Sequence, residues 1–330
     1  MKKILGFLVF GLLVSTGCGG GDVALADFDT EAEAALCANA VKCGRYTSEA
    51  ECKKYVDLDL AQLSATVGAN KATYDAGKAS DCLDALRNQS CSSSAESNRE
   101  APAACNDFVK GKTAAGGACT DGTQCTSGSC KATAASDMAC AAGTCRPDAV
   151  AVGGSCADAE CQNGLYCTEG NTCATLLAIG AMCFSSSECV YGSSCFGEPG
   201  VCTTTAATGA SCAAADCDKV GDQCDGATMT CKALGKDGEA CAAGFAGFFA
   251  CINPLFCDQT SLKCAPRPAL GATCSFVCEA GGFCNQTSKK CEAVKADAAV
   301  CTGDSQCVSS NCEIASGAQM GTCKTATVCN

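Results

Sequence analysis

The chain has 330 residues, of which 37 are Cys, or about 11%, above the roughly 8–10% at which composition alone marks a disulfide scaffold. Aromatics are 5% with no Trp, so one large aliphatic core is not expected and cross-links must supply stability. His is absent, which removes Ser-His-Asp triads, Cys-His pairs, His-ligated metals and imidazole acid–base chemistry. A net charge of −12 without a basic stripe disfavours nucleic-acid binding as well.

The chain opens with Met1-Lys2-Lys3, an apolar run from Ile4 to Val14, and Ser15-Thr16-Gly17-Cys18. This order matches the charged, apolar and small-residue sections of a secretory leader, and the apolar run is too short for a stop-transfer helix. Ending on Gly17-Cys18 before Gly19-Gly20-Gly21, it resembles a bacterial lipoprotein signal, with Ser15 where Leu is commonest. The resemblance implies a signal peptide at 1–17, lipidation of Cys18, and a lipidated Gly-rich linker at 18–26. Ordinary cleavage after Ala24-Leu25-Ala26, which gives a secreted soluble protein, is the alternative. Loss of Lys2 and Lys3 takes the charge from −12 to −14, so acyl chains would have to supply the membrane contact. Setting Cys18 aside leaves 37 − 1 = 36 Cys, enough for complete pairing, and such a number pairs in a periplasm or outside the cell.

Residues 27–112 read as a small helical domain with six Cys expected to form disulfides: Cys37, Cys43, Cys52, Cys82, Cys91 and Cys105. Thr30-Glu31-Ala32-Glu33 and Ser48-Glu49-Ala50-Glu51 fit the S/T-x-x-E capping box, each opening a helical pattern. A third helix is predicted with Ala76, Ala79, Leu83 and Leu86 on one face, and a short fourth from Ala103 to Val109. Six Cys allow 15 pairings, and spacing does not choose among them.

Residues 113–330 are tandem cysteine-rich repeats. Groups open near Gly116, Gly153, Gly180, Gly209, Gly238 and Gly271, each as Gly-x-x-Cys, and a seventh opens at Ala298, where Ala replaces Gly. The first group holds Cys119, Cys125, Cys130, Cys140 and Cys145. The second holds Cys156, Cys161, Cys167 and Cys173, and the third Cys183, Cys189, Cys195 and Cys202. The fourth holds Cys212, Cys217, Cys224 and Cys231, the fifth Cys241, Cys251, Cys257 and Cys264, and the sixth Cys274, Cys278, Cys284 and Cys291. The last holds Cys301, Cys307, Cys312, Cys323 and Cys329. All of these are expected to form structural disulfides. From the last Cys of one group to the first of the next there are ten residues once and nine every other time, which marks a repeated joint. The third Cys tends to follow Gly and an apolar residue, as in Gly164-Leu165-Tyr166-Cys167 and Gly281-Gly282-Phe283-Cys284, which predicts a glycine-dependent turn. Five Cys in the terminal groups is odd, so these groups must pair beyond themselves or depart from the middle frame. Modules of about 30 residues cannot bury enough surface to fold unaided, and disulfides replace a core. The expected fold is small and disulfide-rich: an N-terminal helical domain, then an extended array of about seven short β-hairpin and loop modules.

The series from Gly153-Gly154-Ser155-Cys156 through Cys161 and Tyr166-Cys167 to Cys173 resembles the N-terminal cysteine-rich domain of the Dickkopf family and EB-type modules. Residues 116–329 are similar to repeats of uncharacterised myxobacterial cysteine-rich lipoproteins, and Tyr74-Asp75-Ala76-Gly77 leading to Cys82-Leu83 resembles their N-terminal part. In the animal family such a domain implies extracellular binding to a Wnt co-receptor, a role that does not carry to a chain with a bacterial-type leader.

No C-x-x-C, C-x-C or C-C pair is present, the tightest spacing being Cys274-x3-Cys278. Disulfides are therefore expected rather than thiolate metal clusters or a thioredoxin-type motif. Asp121, Asp158, Asp216, Asp218 and Asp304 read as solvated charge, because no D-x-D-x-D-G calcium loop accompanies them. Gly244-Phe245-Ala246-Gly247-Phe248-Phe249-Ala250, close to Phe256, is the candidate partner-binding patch, against the alternative that these rings pack as a miniature core. Asn88-Gln89-Ser90 and Asn285-Gln286-Thr287 fit the glycosylation pattern. The reading is a non-enzymatic, lipid-anchored surface or periplasm-facing protein without cofactor, metal or catalytic residues, serving as a spacer or a protein-binding, adhesive rod. The alternative is a secreted binding or inhibitor module.

Overall fold

The computed structural model describes residues 21–56, 58, 60–132, 140–241, 250–315, 317–325 and 328–329. The leader with Cys18, and Phe245, Phe248 and Phe249, lie outside them.

The helical domain is built from α1 (Phe28–Lys42), α2 (Glu49–Cys52), α3 (Ala61–Gly68), α4 (Ala76–Arg87) and α5 (Glu96–Arg99). Helix α1 begins two residues before the expected Thr30 cap, because Phe28 is buried against Tyr74 and Phe108, with ring centroids 6.2 and 4.6 Å away. The Ser48 cap holds, its hydroxyl accepting from the Glu51 amide at 3.2 Å. Asp75 caps α4 through the Lys78 amide at 3.0 Å, and Ala79 and Leu83 face the core with Ala32, Ala35 and Leu63. The expected fourth helix is only a 3-10 turn, Ala103–Cys105; beyond it β2 (Val109–Gly111) pairs antiparallel with β1 (Ala72–Tyr74). Three cystines brace the domain: Cys37–Cys52, Cys43–Cys91 and Cys82–Cys105.

Each of the seven modules repeats one frame. The first and last contain three-stranded sheets, β3 (Ala118–Cys119), β4 (Cys130–Ala132) and β5 (Gly143–Cys145), and β16 (Val300–Cys301), β17 (Cys312–Glu313) and β18 (Gly321–Cys323). The middle five each hold one hairpin: β6 (Leu165–Cys167) with β7 (Cys173–Thr175), β8 (Ser193–Phe196) with β9 (Val201–Thr204), β10 (Asp222–Asp225) with β11 (Thr230–Ala233), β12 (Phe256–Asp258) with β13 (Lys263–Ala265), and β14 (Gly282–Asn285) with β15 (Lys290–Ala293).

In the middle modules the first Cys bonds the third and the second bonds the fourth. The second module has Cys156–Cys167 with Cys161–Cys173, and the third has Cys183–Cys195 with Cys189–Cys202. In the fourth, Cys212–Cys224 accompanies Cys217–Cys231, and in the fifth Cys241–Cys257 accompanies Cys251–Cys264. The sixth has Cys274–Cys284 with Cys278–Cys291. The third and fourth Cys of each middle module face each other across its hairpin, as Cys224 faces Cys231 and Cys284 faces Cys291, yet they bond to other partners. The first module follows this frame with Cys119–Cys130 and Cys125–Cys145, and the last with Cys301–Cys312 and Cys307–Cys323. One Cys is left over in each terminal module, and the two bond each other as Cys140–Cys329.

The constant joint has a physical cause. The residue six before each first Cys lies beside the second Cys as a parallel bridge, at Thr113, Val150, Leu177, Ala206, Gly235 and Lys295. The equivalent residue in the sixth module is Pro268, which has no N–H and keeps only the accepting half, from the Glu279 amide at 3.0 Å. Next comes a tight turn whose third residue has positive φ: Gly116, Gly153, Gly180, Gly209, Gly238, Gly271 and Ala298, between 67° and 90°. A turn of type II demands this conformation at that place. The turn's amide then donates to the carbonyl of the last Cys of the frame, from Gly116 to Cys145 through Ala298 to Cys323, at 2.7 to 2.8 Å. Deleting or inserting one residue would break either the bridge or the turn.

The modules do not form the expected extended array. Each one touches the helical domain. Thr123 donates to Thr66 at 3.1 Å, Gly164 to Glu100 at 3.1 Å, Tyr191 to Glu100 at 3.0 Å and Val220 to the Cys91 carbonyl at 2.8 Å. Asn253 bridges Tyr46, Ala280 donates to the Tyr55 hydroxyl at 3.2 Å, and Gln62 holds both backbone groups of Cys329. The helical domain thus serves as a hub. The physical reason is polar: the hub's edges offer unpaired backbone groups and short hydroxyl side chains, which the modules satisfy by wrapping around it. Cys140–Cys329 closes the wrap.

Candidate binding surface

Of the four residues expected to form an adhesive patch, only Phe256 is described. It is half-buried in β12, opposite Ala265. Its neighbour Leu255 packs on Ala250, Cys251, Cys257 and Cys264, the small core of that module. Phe283, at the equivalent place in the next module, is buried, with the Lys295 ammonium 5.4 Å from its ring centroid.

Among the described contacts, the carboxylates singled out in the sequence meet amides, hydroxyls or a lysine rather than one another. Asp121 accepts from the Thr123 amide at 2.8 Å, Asp304 accepts from the Cys312 amide at 2.7 Å, and Asp158 pairs with Lys131. Asp216 is exposed. Asp218 accepts from Ser92, Ser94 and Thr205 hydroxyls at 2.5, 3.0 and 2.9 Å. Burial alone would raise its pKa, but those three hydrogen bonds hold it below the ordinary carboxylate value. Asp218 is thus a clip between hub and fourth module.

A cleft of about 510 Å³ opens where the hub meets the first three modules, lined by Arg99, Glu100, Arg146, Tyr166, Glu160 and Tyr191 among others. Some of its polar groups hold the wrap, while Glu100 Oε2 and Arg146 Nε are buried without a hydrogen-bond partner among the described residues. Arg99 donates to the Cys189 carbonyl at 2.6 Å, and one Glu100 oxygen takes both the Gly164 amide and the Tyr191 hydroxyl. Burial, with this hydrogen bond, pushes the Tyr191 hydroxyl up to about 12. Burial also lowers the Arg99 guanidinium. Three sulfurs of a module lie within 4.8 Å of one another in several places, but each is committed to an S–S bond.

The most exposed apolar group sits on the third module. Phe184 is 87% exposed, Met182 75% and Ile179 60%, in a molecule where most large apolar side chains find cover. They occupy frame positions one after, one before and four before the first Cys. The residues one after it elsewhere are Thr120, Ala157, Ala213, Ala242, Ser275 and Thr302, and those one before it are mostly Ala, Ser or Thr. Aligning the modules on their first Cys would have found this exception; a search for clustered aromatics could not.

The backbone carrying these side chains is tightly held. Cys183 is bonded to Cys195, and its amide donates to the Gly200 carbonyl at 2.9 Å. A β-carbon at Gly200 would stand 2.6 Å from the Cys183 carbonyl oxygen, so only Gly allows that approach. The Phe184 amide donates to Glu188 at 2.9 Å, and Met182 bridges Val201. Large apolar groups on a rigid support are suited to contact a partner with little loss of chain entropy.

No protein-family profile, curated protein or solved structure matches this chain. Among the described residues no helix is long and apolar enough to cross a membrane. The eighteen cystines among the described residues fit a protein that folds after export into an oxidising compartment.

Proposed function

We propose that this chain is a non-enzymatic, exported lipoprotein, anchored through Cys18, whose disulfide-locked modules form a protein-binding scaffold. The contact surface is centred on Ile179, Met182 and Phe184. The observation that carries this reading is the joint exposure of those three side chains in one module: the other modules place Ala, Ser or Thr where Phe184 stands, and where Ile179 or Met182 stands only Val152, Leu270 and Val300 are also large and apolar, one to a module. Cystines and turns hold the frame, so these positions are free to vary. Three adjacent large apolar groups cost solubility and belong to a surface that is covered in use. The absence of His and the use of the carboxylates as turn and docking groups favour binding over catalysis. The wrapped modules favour a binding scaffold over a spacer rod.

A photo-crosslinking residue at Phe184 in the intact organism tests the reading, with the equivalent Ala213 of the next module as control. A discrete cross-linked protein at 184 and none at 213 is expected. Equal cross-linking at both, or none at 184, would contradict it. The anchor is tested separately by Cys18→Ser, which should move the protein from the membrane to the soluble fraction.

A further inference from the structure

In all seven modules, each of the two frame cystines has at least one Cys on a strand, and the two Cys stand 10 to 20 residues apart. Cys140–Cys329 is built differently. It spans 189 residues. Neither partner is on a strand, since β4 ends at Ala132, β5 begins at Gly143 and β18 ends at Cys323. Cys140 is half-exposed and holds φ +67°, a left-handed conformation unfavourable to any residue with a β-carbon.

We propose that Cys140–Cys329 is a reducible clasp: thiol–disulfide exchange with an external dithiol opens it and frees the last module from the first, while the frame cystines stay closed. A thiolate of the dithiol attacks one clasp sulfur, the S–S bond breaks, and the displaced Cys leaves as a thiolate and takes up a proton. The second thiol then attacks the mixed disulfide and releases the other Cys. Two electrons and two protons pass to the clasp, and the dithiol ends as its own disulfide.

Selectivity comes from what happens after the first attack. In a module, the strand pairing and the second cystine keep both sulfurs in place, so the displaced thiolate re-forms its bond at once. At the clasp Cys329 is buried and gripped by Gln62 but no strand holds Cys140, so the effective concentration of the two sulfurs falls once the bond is cut and the dithiol completes the exchange. Opening also relieves the backbone at Cys140. At the other side Gln62 grips Cys329, its amide oxygen accepting from the Cys329 amide at 2.5 Å and its amide nitrogen donating to the Cys329 carbonyl at 2.9 Å.

The test is graded native-state reduction of the whole oxidised protein with dithiothreitol, alkylation, and peptide mass mapping. Cys140 and Cys329 are expected to be alkylated at least tenfold faster than any module Cys. A module cystine that opens first, or all opening together, overturns the proposal. A C140S/C329S double variant gives a second reading by hydrogen exchange: at least tenfold faster exchange at the amide of residue 329, which donates to Gln62 in the oxidised protein, with the module hairpins unchanged is expected. Unchanged exchange there shows that the bond holds nothing and overturns the proposal too.

Discussion

At the scale of single residues, the conformation of the joint depends on a glycine that one module lacks. Ala298 holds φ +67° where six other modules place Gly at φ between 77° and 90°. A left-handed conformation costs an L-residue about 1–2 kcal/mol, partly offset by the smaller unfolded-state freedom of Ala. Ala298→Gly should therefore stabilise the seventh module by about 0.5–1 kcal/mol. The converse Gly209→Ala should destabilise the fourth by about 1 kcal/mol. Native-state hydrogen exchange at the Cys323 and Cys231 amides, which pair across these turns, measures both. Equal effects of the same sign would show that the turn does not require the left-handed conformation. Gly221 is constrained for another reason: a β-carbon there would stand 2.2 Å from the Cys43 carbonyl oxygen. Gly221→Ala should leave the cystines of the fourth module, Cys212–Cys224 and Cys217–Cys231, intact while raising exchange at the Val220 amide, which donates to Cys91. Unchanged protection at Val220 would show that this close approach is not needed for docking.

At the scale of elements, the docking of the fourth module rests on Asp218 and three hydroxyls. Its pKa is depressed in the folded state, so its contribution is present above the unfolded value, about 3.9, and is lost as pH falls through the folded value. Protection of the Gly192 and Val220 amides, which bond Ser94 and Cys91 of the hub, should hold from pH 7 to 5 and fall only below about pH 4. Loss between pH 7 and 5 would assign the clip to another group. The repeated elements are the legible part of the sequence, because a cystine and a left-handed turn each require one residue type and leave it at a fixed spacing. Pairing within a module is not legible, since first loops of three to nine residues are compatible with several connectivities. The capping-box pattern points to Thr30 rather than to the true start of α1 because it competes with burial of Phe28, a tertiary effect. The turn after Ala103 gives way to β2 for the same kind of reason: Val109 pairs with Tyr74 across the hub. Phe184 carries no signal of its own, because its meaning lies in comparison between modules rather than in its neighbours.

At the scale of the molecule, the hub contacts decide between a rod and a wrapped body. They are made by Asn253, Ser92, Gln62 and backbone carbonyls, common groups that carry no pattern in the sequence, which is why an extended array is the expectation from sequence. Frame cystines closing 10 to 20 residues contribute about 3 kcal/mol each in the chain-entropy model, enough to hold each module but not to arrange them. Arrangement falls to the hub and to Cys140–Cys329, which joins groups 189 residues apart. Wrapping also fixes how the apolar face of Ile179, Met182 and Phe184 is presented, since the third module is tied to the hub through Arg99, Glu100 and Ser94. Small-angle X-ray scattering of the oxidised protein, with residues 1–20 removed, tests the wrap most directly. A wrapped body should give a radius of gyration of about 20–25 Å, near the compact-domain scaling for this length. A value above about 30 Å with a maximum dimension on the order of 100 Å, as for seven modules in line, would contradict it.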